Sequence, residues 1–574
     1  MLFLKLINQL FFYFCFNIIS ILNTKTPYFL LFSFLLLINI SINSQEISFN
    51  ITSTSEKENL ILNELTYLKK HKDTISVNLE INKISDYLKK IGYFINSVQK
   101  IKKEKTKYTV YFSLKDKLEN AIIKISNQEI RYLKNSKPKK KEIIIPITEI
   151  ETTLFNITKK LEKEGKSFSK VQLKNIIIKD KTIFADLHIN ESKKRKINKV
   201  IIKGYVEFPK SYLKNYFNIT SNTVFNQKKI EEISIDTKKL QFVSEIKKPE
   251  ILFTKDSTLL YLFLKKKQNN SFDGIVNFSS KEDGGILFNG NLDLKLNNIL
   301  NTGEKFNLFW NSIGEERQEF KITTEIPYIF NSVISPELSF SIYKQDSSFI
   351  NTKFYSSIKY NLSNKLKIGL SYSSESSEDL SKKETTNKIT SFDNSFIGLN
   401  FLFLNPKNDE FHNNKFYLEV NPFLGKRKID NSTTNQYKVV TTASYIWDIN
   451  NRNSVYIRNE TGVLNSDTFL NNELFRIGGA NSLRGFNEQS IFTREYTYFN
   501  FEYRYLTSTK SYLYTITDIG KIKEEKDQLI SYGLGYLFKT SNSQININIT
   551  VGEKNQNTND FNNSRMVISW INIF

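Results

Sequence analysis

Hydrophobic and polar residues alternate strictly along much of the C-terminal half of the chain. Between residues 545 and 552, isoleucine or valine alternates with asparagine, threonine and glycine, and residues 288–296 and 416–421 show a similar pattern. A period of two places apolar and polar side chains on opposite faces of a β-strand. Residues 271–574 therefore predict about sixteen antiparallel strands, at roughly 19 residues for each strand and its connection.

This alternation fits two kinds of β structure, a soluble sandwich and a closed transmembrane barrel. Aromatic residues make up 14% of the chain, helical periodicity is almost absent after residue 271, and an export signal is predicted at the start. These features favour the barrel, in which closure pairs the backbone groups that lipid cannot hydrogen-bond.

Two apolar runs open the chain, at residues 2–22 and 28–40. The second has the features of a signal peptide, since Lys25 supplies a positive charge before it and a polar segment follows, with cleavage predicted near Ser44 or Gln45. The first run is then an over-long start or, alternatively, a membrane-anchoring helix, although its polar amide side chains weaken that second interpretation.

Between these segments, the chain repeats itself at an interval of roughly 75 residues. Three similar strand endings align, at residues 109–112, 182–185 and 258–261, and each follows a polar turn and precedes a charged stretch, as the closing strand of a hairpin would. Each repeat is interpreted as strand, helix, helix, strand, strand, a small α+β domain with a three-stranded sheet.

The helices of these repeats are predicted from apolar residues at helical spacing. Gly92 and Gly165 follow the first two helices where a C-terminal cap is expected, and the third repeat lacks this glycine. The apolar positions are Ile81, Ile84, Leu88 and Ile91 in the first repeat, Ile150, Leu154, Ile157 and Leu161 in the second, and Ile230, Ile233 and Leu240 in the third.

Charge and composition exclude several kinds of chemistry. The chain has 81 Lys and Arg against 59 Asp and Glu, a formal charge of +22, but lysine is spread throughout, so no nucleic-acid partner is expected. Cys15 is the only cysteine, and His71, His188 and His412 stand far apart. No disulfide, metal site, cofactor or catalytic residue is therefore predicted, and the absence of a phosphate-binding loop argues against nucleotide use.

The most specific motif is Arg-Ile-Gly-Gly-Ala-Asn-Ser-Leu-Arg-Gly-Phe at residues 476–486. It resembles the signature loop of the BamA/TamA outer-membrane assembly family, a Gly-Gly pair followed by a hydrophobic residue and Arg-Gly-Phe. Residues 500–505 resemble the next barrel strand of that family, and Thr-Asp-Ile-Gly at 517–520 resembles the strand after it. The candidate loop residues are Gly478, Gly479, Leu483, Arg484, Gly485 and Phe486.

The end of the chain and the repeats extend this resemblance. One strand face ends on Trp570 and Phe574, similar to a C-terminal sorting strand, although Asn572 departs from the usual apolar residue. The repeats resemble POTRA domains, so the implied fold is a series of α+β POTRA repeats followed by an all-β transmembrane barrel. The predicted divisions are 1–45 for the extension and signal peptide, 46–119, 120–194 and 195–268 for the repeats, and 269–574 for the barrel.

The resemblance also implies roles for single residues. In the family the loop arginine meets acidic groups on the inner barrel wall, so Asp518 is the implied partner of Arg484, with Glu502 as second choice and Gly520 completing the Asp-x-Gly motif. A bidentate arginine facing a fixed carboxylate can anchor a loop within a hydrated lumen. The alternative is that the glycines only permit tight turns and that Arg484 is solvated.

The family resemblance implies a non-enzymatic assembly factor in the outer membrane with its N-terminal arm in the periplasm. Unfolded outer-membrane or secreted proteins would add strands to the arm, and the lipid bilayer would receive them through a weakly bonded seam between strands near 271–279 and 565–574. Whether accessory lipoproteins dock on the arm is left open. The alternatives are a two-partner secretion pore, which usually has two arm domains and a plug helix, a barrel enzyme, and a plain diffusion porin.

Overall fold

The computed structural model describes residues 46–133, 141–280, 286–313, 317–381, 389–553 and 564–574. The predicted extension and signal peptide lie outside these residues. The chain forms two compact units. The first takes in the described residues up to Thr158 together with Lys170–Asn190, and the second takes in Lys159–Ser169 and Glu191–Phe574.

Two mixed sheets make up the first unit. Their strand orders are β2-β1-β4-β3 and β6-β5-β8-β7, and in each sheet the central pair is parallel. The elements are β1 (Ile47–Thr52), α1 (Glu56–Asn63), β2 (Lys70–His71), α2 (Thr74–Lys90), β3 (Ser97–Glu104) and β4 (Lys107–Ser113), then β5 (Asn120–Lys124), β6 (Glu142–Pro146), α3 (Ile150–Lys163), β7 (Lys170–Lys179) and β8 (Thr182–Asn190).

Helix α2 shows why these residues form this element. Asp73 caps its first turn by accepting a hydrogen bond from the Ser76 backbone N–H at 2.7 Å. The predicted apolar face is buried against the sheet, and Gly92 ends the helix with a φ of 110°, which a side chain would disfavour. The predicted helices over residues 81–91 and 150–161 are thus confirmed, apart from Ile91, the C-cap residue just after α2.

Three predictions about the repeats were wrong in detail. The first two sheets have four strands, because the short strands β2 and β6 extend them. In the second repeat, the described part of the segment before β6 contains only a 3₁₀ turn at Ile130–Tyr132 where a first helix was expected. The third predicted helix ends at Thr237, so Leu240 lies in the loop that follows it, and its side chain is buried in the hydrophobic core.

A third sheet opens the second unit and has its own core. The order is β10-β11-β9, with β9 and β11 parallel. Its core includes Phe208, Tyr212 and Phe242, together with Tyr328 from a turn of the barrel. The elements are β9 (Lys199–Gly204), α4 (Lys210–Asn215), α5 (Gln227–Thr237), β10 (Val243–Phe253) and β11 (Thr258–Lys266).

Sixteen antiparallel strands form a closed barrel, as predicted. A small hairpin, β23 (Phe475–Ile477) and β24 (Ile491–Thr493), lies in the connection between two of them. The barrel strands are β12 (Ser271–Ser280), β13 (Ile286–Asn297), β14 (Lys305–Ile313), β15 (Arg317–Glu325), β16 (Ile334–Gln345), β17 (Phe349–Asn361), β18 (Leu366–Asp379), β19 (Phe392–Pro406), β20 (Asn414–Ile429), β21 (Ser432–Asp448), β22 (Asn453–Ser466), β25 (Glu495–Ser508), β26 (Ser511–Ile522), β27 (Leu529–Lys539), β28 (Ser543–Glu553) and β29 (Ser564–Ile573).

The two faces of the barrel wall have opposite polarity. Along β19 the exposed residues include Ile397, which is 69% exposed, and Leu399, whereas Asn394 and Asn400 are buried towards the lumen. The same face of β29 exposes Trp570, and Phe574 just beyond this strand is also exposed. An apolar outer wall around a polar interior is the arrangement of a barrel that sits in lipid. No helix among the described residues has the length and apolarity of a membrane-spanning helix.

We expect the chain to migrate differently on detergent gels before and after heating, because a closed barrel resists detergent until it is boiled. The long ladders between successive strands from β17 to β21, with 12 to 14 paired positions each, supply that resistance. Fractionation should recover the chain with the outer membrane. Recovery in a soluble fraction without detergent would contradict the transmembrane assignment.

Candidate functional site

The connection between β22 and β25, residues 467–494, lies inside the barrel, and we call it the lumenal loop. It contacts strands on several sides of the wall. Gln489 Nε2 donates to Glu319 Oε2 on β15 at 2.7 Å, and the Arg476 guanidinium lies 3.5 Å from the centre of the Tyr343 ring on β16. The loop therefore crosses the lumen and contacts more than one side of it.

Arg484 forms the centre of a buried charge network. Its Nε donates to Asp518 Oδ2 at 3.1 Å and its Nη2 donates to Asp518 Oδ1 at 2.6 Å, while Nη1 donates to Glu502 Oε1 at 2.5 Å. The Arg484 backbone N–H also donates to Asp518 Oδ2, at 2.9 Å. The structure thus brings together all three charged residues singled out in the sequence, and both carboxylates contact the arginine at once.

Neighbouring groups complete this network. Glu502 Oε2 accepts from Arg504 Nε at 2.8 Å, and Asn500 Nδ2 donates both to Asp518 Oδ1 at 2.8 Å and to the Ser482 carbonyl at 2.7 Å. Asp518 has no exposed surface. Charges removed from water interact strongly and require full pairing, so this arrangement fixes the tip of the lumenal loop to β25 and β26.

The glycines of the motif permit the backbone path that places Arg484 there. Gly478 and Gly479 have φ angles of 107° and 98°, in the region that favours glycine. Gly485 approaches the backbone of β28 so closely that a Cβ would lie 2.5 Å from the Gly552 Cα. Any side chain at Gly485 would therefore push the loop away from the wall.

Apolar residues of the motif pack beneath the charged ones. Leu483 is fully buried against the wall, where it packs onto Gly520, and Phe486 is partly buried in the same cluster. A Cβ at Gly520 would lie 2.8 Å from Leu483 Cδ1, which explains why the Asp-Ile-Gly segment carries a glycine at this position. Leu483, Arg484, Gly485 and Phe486 thus lie at one contact between the loop and β25–β28. Gly478 and Gly479 contact other residues of the loop.

A second buried ion pair holds the other limb of the loop, and the sequence reasoning missed it. Arg427 on β20 pairs with Glu473, and both side chains are almost fully buried. Arg427 Nη1 also donates to the Thr468 carbonyl at 3.1 Å, and Glu473 Oε2 accepts from Gln436 Nε2 at 2.9 Å. The available signal was strand parity, since Arg427 falls on the lumenal face between two exposed lysines, but no local pattern identifies its partner.

Asn472 extends this second contact to other strands. Its Nδ2 donates to Ser377 Oγ on β18 at 2.7 Å, and its carbonyl accepts from Asn351 Nδ2 on β17 at 2.7 Å. The first part of the lumenal loop, residues 468–473, is therefore bound to β17, β18, β20 and β21. We call the contacts of Arg484 the tip anchor and those of Arg427 the limb anchor.

The seam between β12 and β29 differs from every other junction of the barrel. These strands pair only at Ser271–Ile573 and Phe272–Asn572, with two backbone hydrogen bonds between Asn270 and Phe574 beside them. The neighbouring β12–β13 ladder has ten paired positions, and β28–β29 has nine. The predicted short seam is therefore present in the described residues.

The remaining candidates lie away from the loop. Trp570 and Phe574 face outward at the seam strand and do not join the loop contacts. His412 lies in the turn between β19 and β20, where burial and then Lys267 and Lys539 lower its pKa to about 4. It is neutral at physiological pH and accepts from Lys267 Nζ at 3.2 Å. Within the described ranges, no group of side chains is arranged to hold a metal ion.

The fold and site define a sixteen-stranded barrel with an anchored lumenal loop, preceded in the chain by three small β-sheets with helices between their strands. The chain is similar in structure to CdiB from Acinetobacter baumannii, at a TM-score of 0.48 and 13% identity, covering 87% of this chain and 97% of that one. CdiB from Escherichia coli is similar at a TM-score of 0.47 and 12% identity, covering 86% of this chain and 97% of that one. BamA from Haemophilus ducreyi lacking POTRA domains 1–3 is similar at a TM-score of 0.46 and 12% identity, covering 78% of this chain and 97% of that one.

No protein-family profile matches the chain, and no curated protein matches it. None of the three structural similarities reaches a TM-score of 0.5, so no family membership follows from them.

We expect Arg484→Ala to increase protease accessibility of the lumenal loop far more than Asn487→Ala, a change at an exposed neighbour. Removing one partner of a buried ion pair costs about 3–5 kcal/mol, because the other charge is left uncompensated. A double-mutant cycle with Asp518→Asn should give a coupling energy of about 1–3 kcal/mol. Additive single effects would contradict the tip anchor.

The limb anchor makes a separate prediction. Arg427→Met should loosen the loop, whereas Lys428→Met, on the exposed face of the same strand, should not. Since both anchors hold the same loop, the combination of Arg427→Met with Arg484→Ala should accelerate cleavage by more than either single change. A double variant that is cleaved no faster than the faster single variant would show that the limb anchor does not hold the loop.

Proposed function

We propose that this chain is an outer-membrane assembly factor that inserts client proteins into lipid through the β12–β29 seam. The N-terminal sheets would lie in the periplasm and capture unfolded clients. The observation that carries this proposal is the two-position pairing of the seam. The resemblance of residues 476–486 to the BamA/TamA signature loop supports it, and the resemblance of the N-terminal repeats to POTRA domains supports the capture role.

The physical argument begins with unpaired backbone groups. Beyond the two paired positions, residues 273–280 of β12 and 564–571 of β29 have no ladder to each other. Unpaired N–H and C=O groups are costly in hydrocarbon, and an open strand edge is a template for another strand. A client strand entering the seam would satisfy these groups and would gain its own pairing at the same time.

Capture by the arm follows the same chemistry. Strands β3 and β10 lie at sheet edges, and all eight residues of β3 are exposed. An extended client segment can add to such an edge through main-chain hydrogen bonds, with little dependence on sequence. Lysines along β3, including Lys100, Lys102 and Lys103, disfavour pairing between two copies of the edge.

The anchored loop favours lateral insertion over passage through the lumen. A secretion pore or a diffusion porin needs an open path along the barrel axis, and here both anchors would have to release before the lumenal loop could leave that path. Lateral insertion requires only the seam to open. The proposed role is not enzymatic and uses no cofactor.

A disulfide across the seam tests lateral opening. Cysteines at Ser271 and Ile573, which face each other in the register, should form a bond that blocks assembly of client barrels until a reductant is added. The control pair is Asn546→Cys with Ser569→Cys, which joins strands that are already fully paired. Normal client assembly with the seam locked would contradict lateral insertion, and secretion of one protein that is undiminished by the locked seam would favour the secretion pore.

Deletion of Glu46 to Lys194 tests the arm. The third sheet has its own core, so the shortened chain should still form a heat-modifiable barrel, but client delivery should fall. Client delivery is measured from the amounts of outer-membrane proteins in cells in which the shortened chain replaces the intact one. Broad loss of barrels would mark a general assembly factor, and unchanged levels would show that the first two repeats do not capture clients.

A further inference from the structure

The turn between β15 and β16 presents an exposed aromatic side chain on an unusual backbone. Tyr328, Phe330 and Asn331 have φ angles of 55°, 52° and 57°, a region that bulky residues rarely adopt. Phe330 is nevertheless 94% exposed. Such a conformation persists only where surrounding contacts fix it.

Tyr328 supplies the fixing contact. Its ring is buried in the core of the third sheet, with its centroid 5.0 Å from that of Tyr212 at an interplanar angle of 86°. Its backbone N–H donates to Ser335 Oγ at 3.2 Å. Because Tyr328 is directed into the core, the left-handed turn directs Phe330 away from it. The aromatic ring is therefore held outside the hydrophobic core by the fold.

Neighbouring turns at the same end of the barrel add further apolar side chains. Leu300 in the β13–β14 turn is 74% exposed, and Leu362 in the β17–β18 turn is 52% exposed. We call Leu300, Phe330 and Leu362 the rim patch. It continues the exposed apolar face of the wall, since Ile326 before the β15–β16 turn and Ile334 after it are also exposed. The patch thus extends the outer wall beyond the strand ends.

Cationic side chains border the rim patch. Lys210 and Lys214 on α4 are exposed, and Lys214 Nζ lies 3.5 Å from the Asn331 carbonyl oxygen. Lys266 Nζ donates to Asn301 Oδ1 beside Leu300, at 3.0 Å. Two glutamates lie in this region: Glu207 accepts from Asn301 Nδ2 at 3.0 Å, and the buried Glu304 accepts from the Leu300 backbone N–H at 2.7 Å. Three lysines against two glutamates leave the border positive.

We propose that the rim patch inserts into the membrane leaflet that faces the third sheet and binds anionic phospholipid. Phe330 would lie at the boundary between headgroups and acyl chains, and Lys210 and Lys214 would contact headgroup phosphates. This is how interfacial segments combine an apolar face with lysines. The occupant is lipid because the patch is continuous with the wall that lipid covers. The inference rests on the proposed membrane barrel.

Tryptophan fluorescence tests the position of the turn. In the full chain, Trp310, Trp447 and Trp570 are replaced by phenylalanine, and Phe330→Trp supplies a single reporter. The chain is reconstituted in phosphatidylcholine vesicles with and without phosphatidylglycerol, and lipids labelled with a nitroxide at the headgroup or deep in the acyl chain act as quenchers. We expect Trp at position 330 to be quenched severalfold more by the shallow label than by the deep one.

Two matched variants interpret the result. Leu252→Trp places the reporter on an exposed site of β10 at the end remote from the barrel, so it should emit as in water and show little quenching. A variant that retains Trp447 alone reports the lipid-facing wall. Quenching of Trp447 without quenching at position 330 would overturn the inference and leave the membrane barrel intact. If neither is quenched, the membrane barrel fails as well.

The cationic border has its own test. In the Phe330→Trp background, Lys210→Glu with Lys214→Glu should abolish the additional quenching that phosphatidylglycerol produces and leave the Trp447 reporter unchanged. An undiminished response to phosphatidylglycerol would exclude these lysines as headgroup contacts. Shielding of the reporter only after a second protein is added would replace lipid by a protein partner.

Discussion

The main constraint on this structure is that a sheet placed in lipid must pair its own backbone. The barrel meets this constraint by closure, with ladders of eight to fourteen positions between successive strands and a junction of only two positions between β12 and β29. Backbone pairing in hydrocarbon has no substitute from water. The weak junction is therefore the place where the wall opens most easily and where an added strand would form the most new backbone hydrogen bonds.

The polar lumen creates a second requirement, because charges that leave water must be paired. The lumenal loop satisfies it at two places, through Arg484 with Asp518 and Glu502 and through Arg427 with Glu473. The anchors lie on different parts of the wall, so the loop links distant strands of the barrel to one another, while the β12–β29 seam itself is weakly paired. Desolvation offsets much of the attraction within such buried pairs, whereas removal of one partner leaves a buried charge uncompensated.

The third sheet is joined to the barrel more firmly than a flexible linker would allow. Tyr328 of a barrel turn belongs to its core, and the Tyr205 hydroxyl accepts from Asn298 Nδ2 and donates to Asn301 Oδ1, both in the β13–β14 turn. This junction lies near the first barrel strands. The third sheet is thus held beside the turn between β13 and β14, near β12, one side of the weakly paired junction.

Features that depend on short-range regularity could be predicted from the sequence. Alternation identified the strands and their faces, helical spacing with Gly92 and Gly165 identified two helices, and the motif around Arg484 identified one loop contact. Three features appear only in the folded chain: Glu502 and Asp518 share the arginine, Glu473 pairs with Arg427, and Tyr328 completes the core of the third sheet. These contacts join residues 18 to 116 positions apart, and their formation depends on barrel register and closure, which local patterns do not encode.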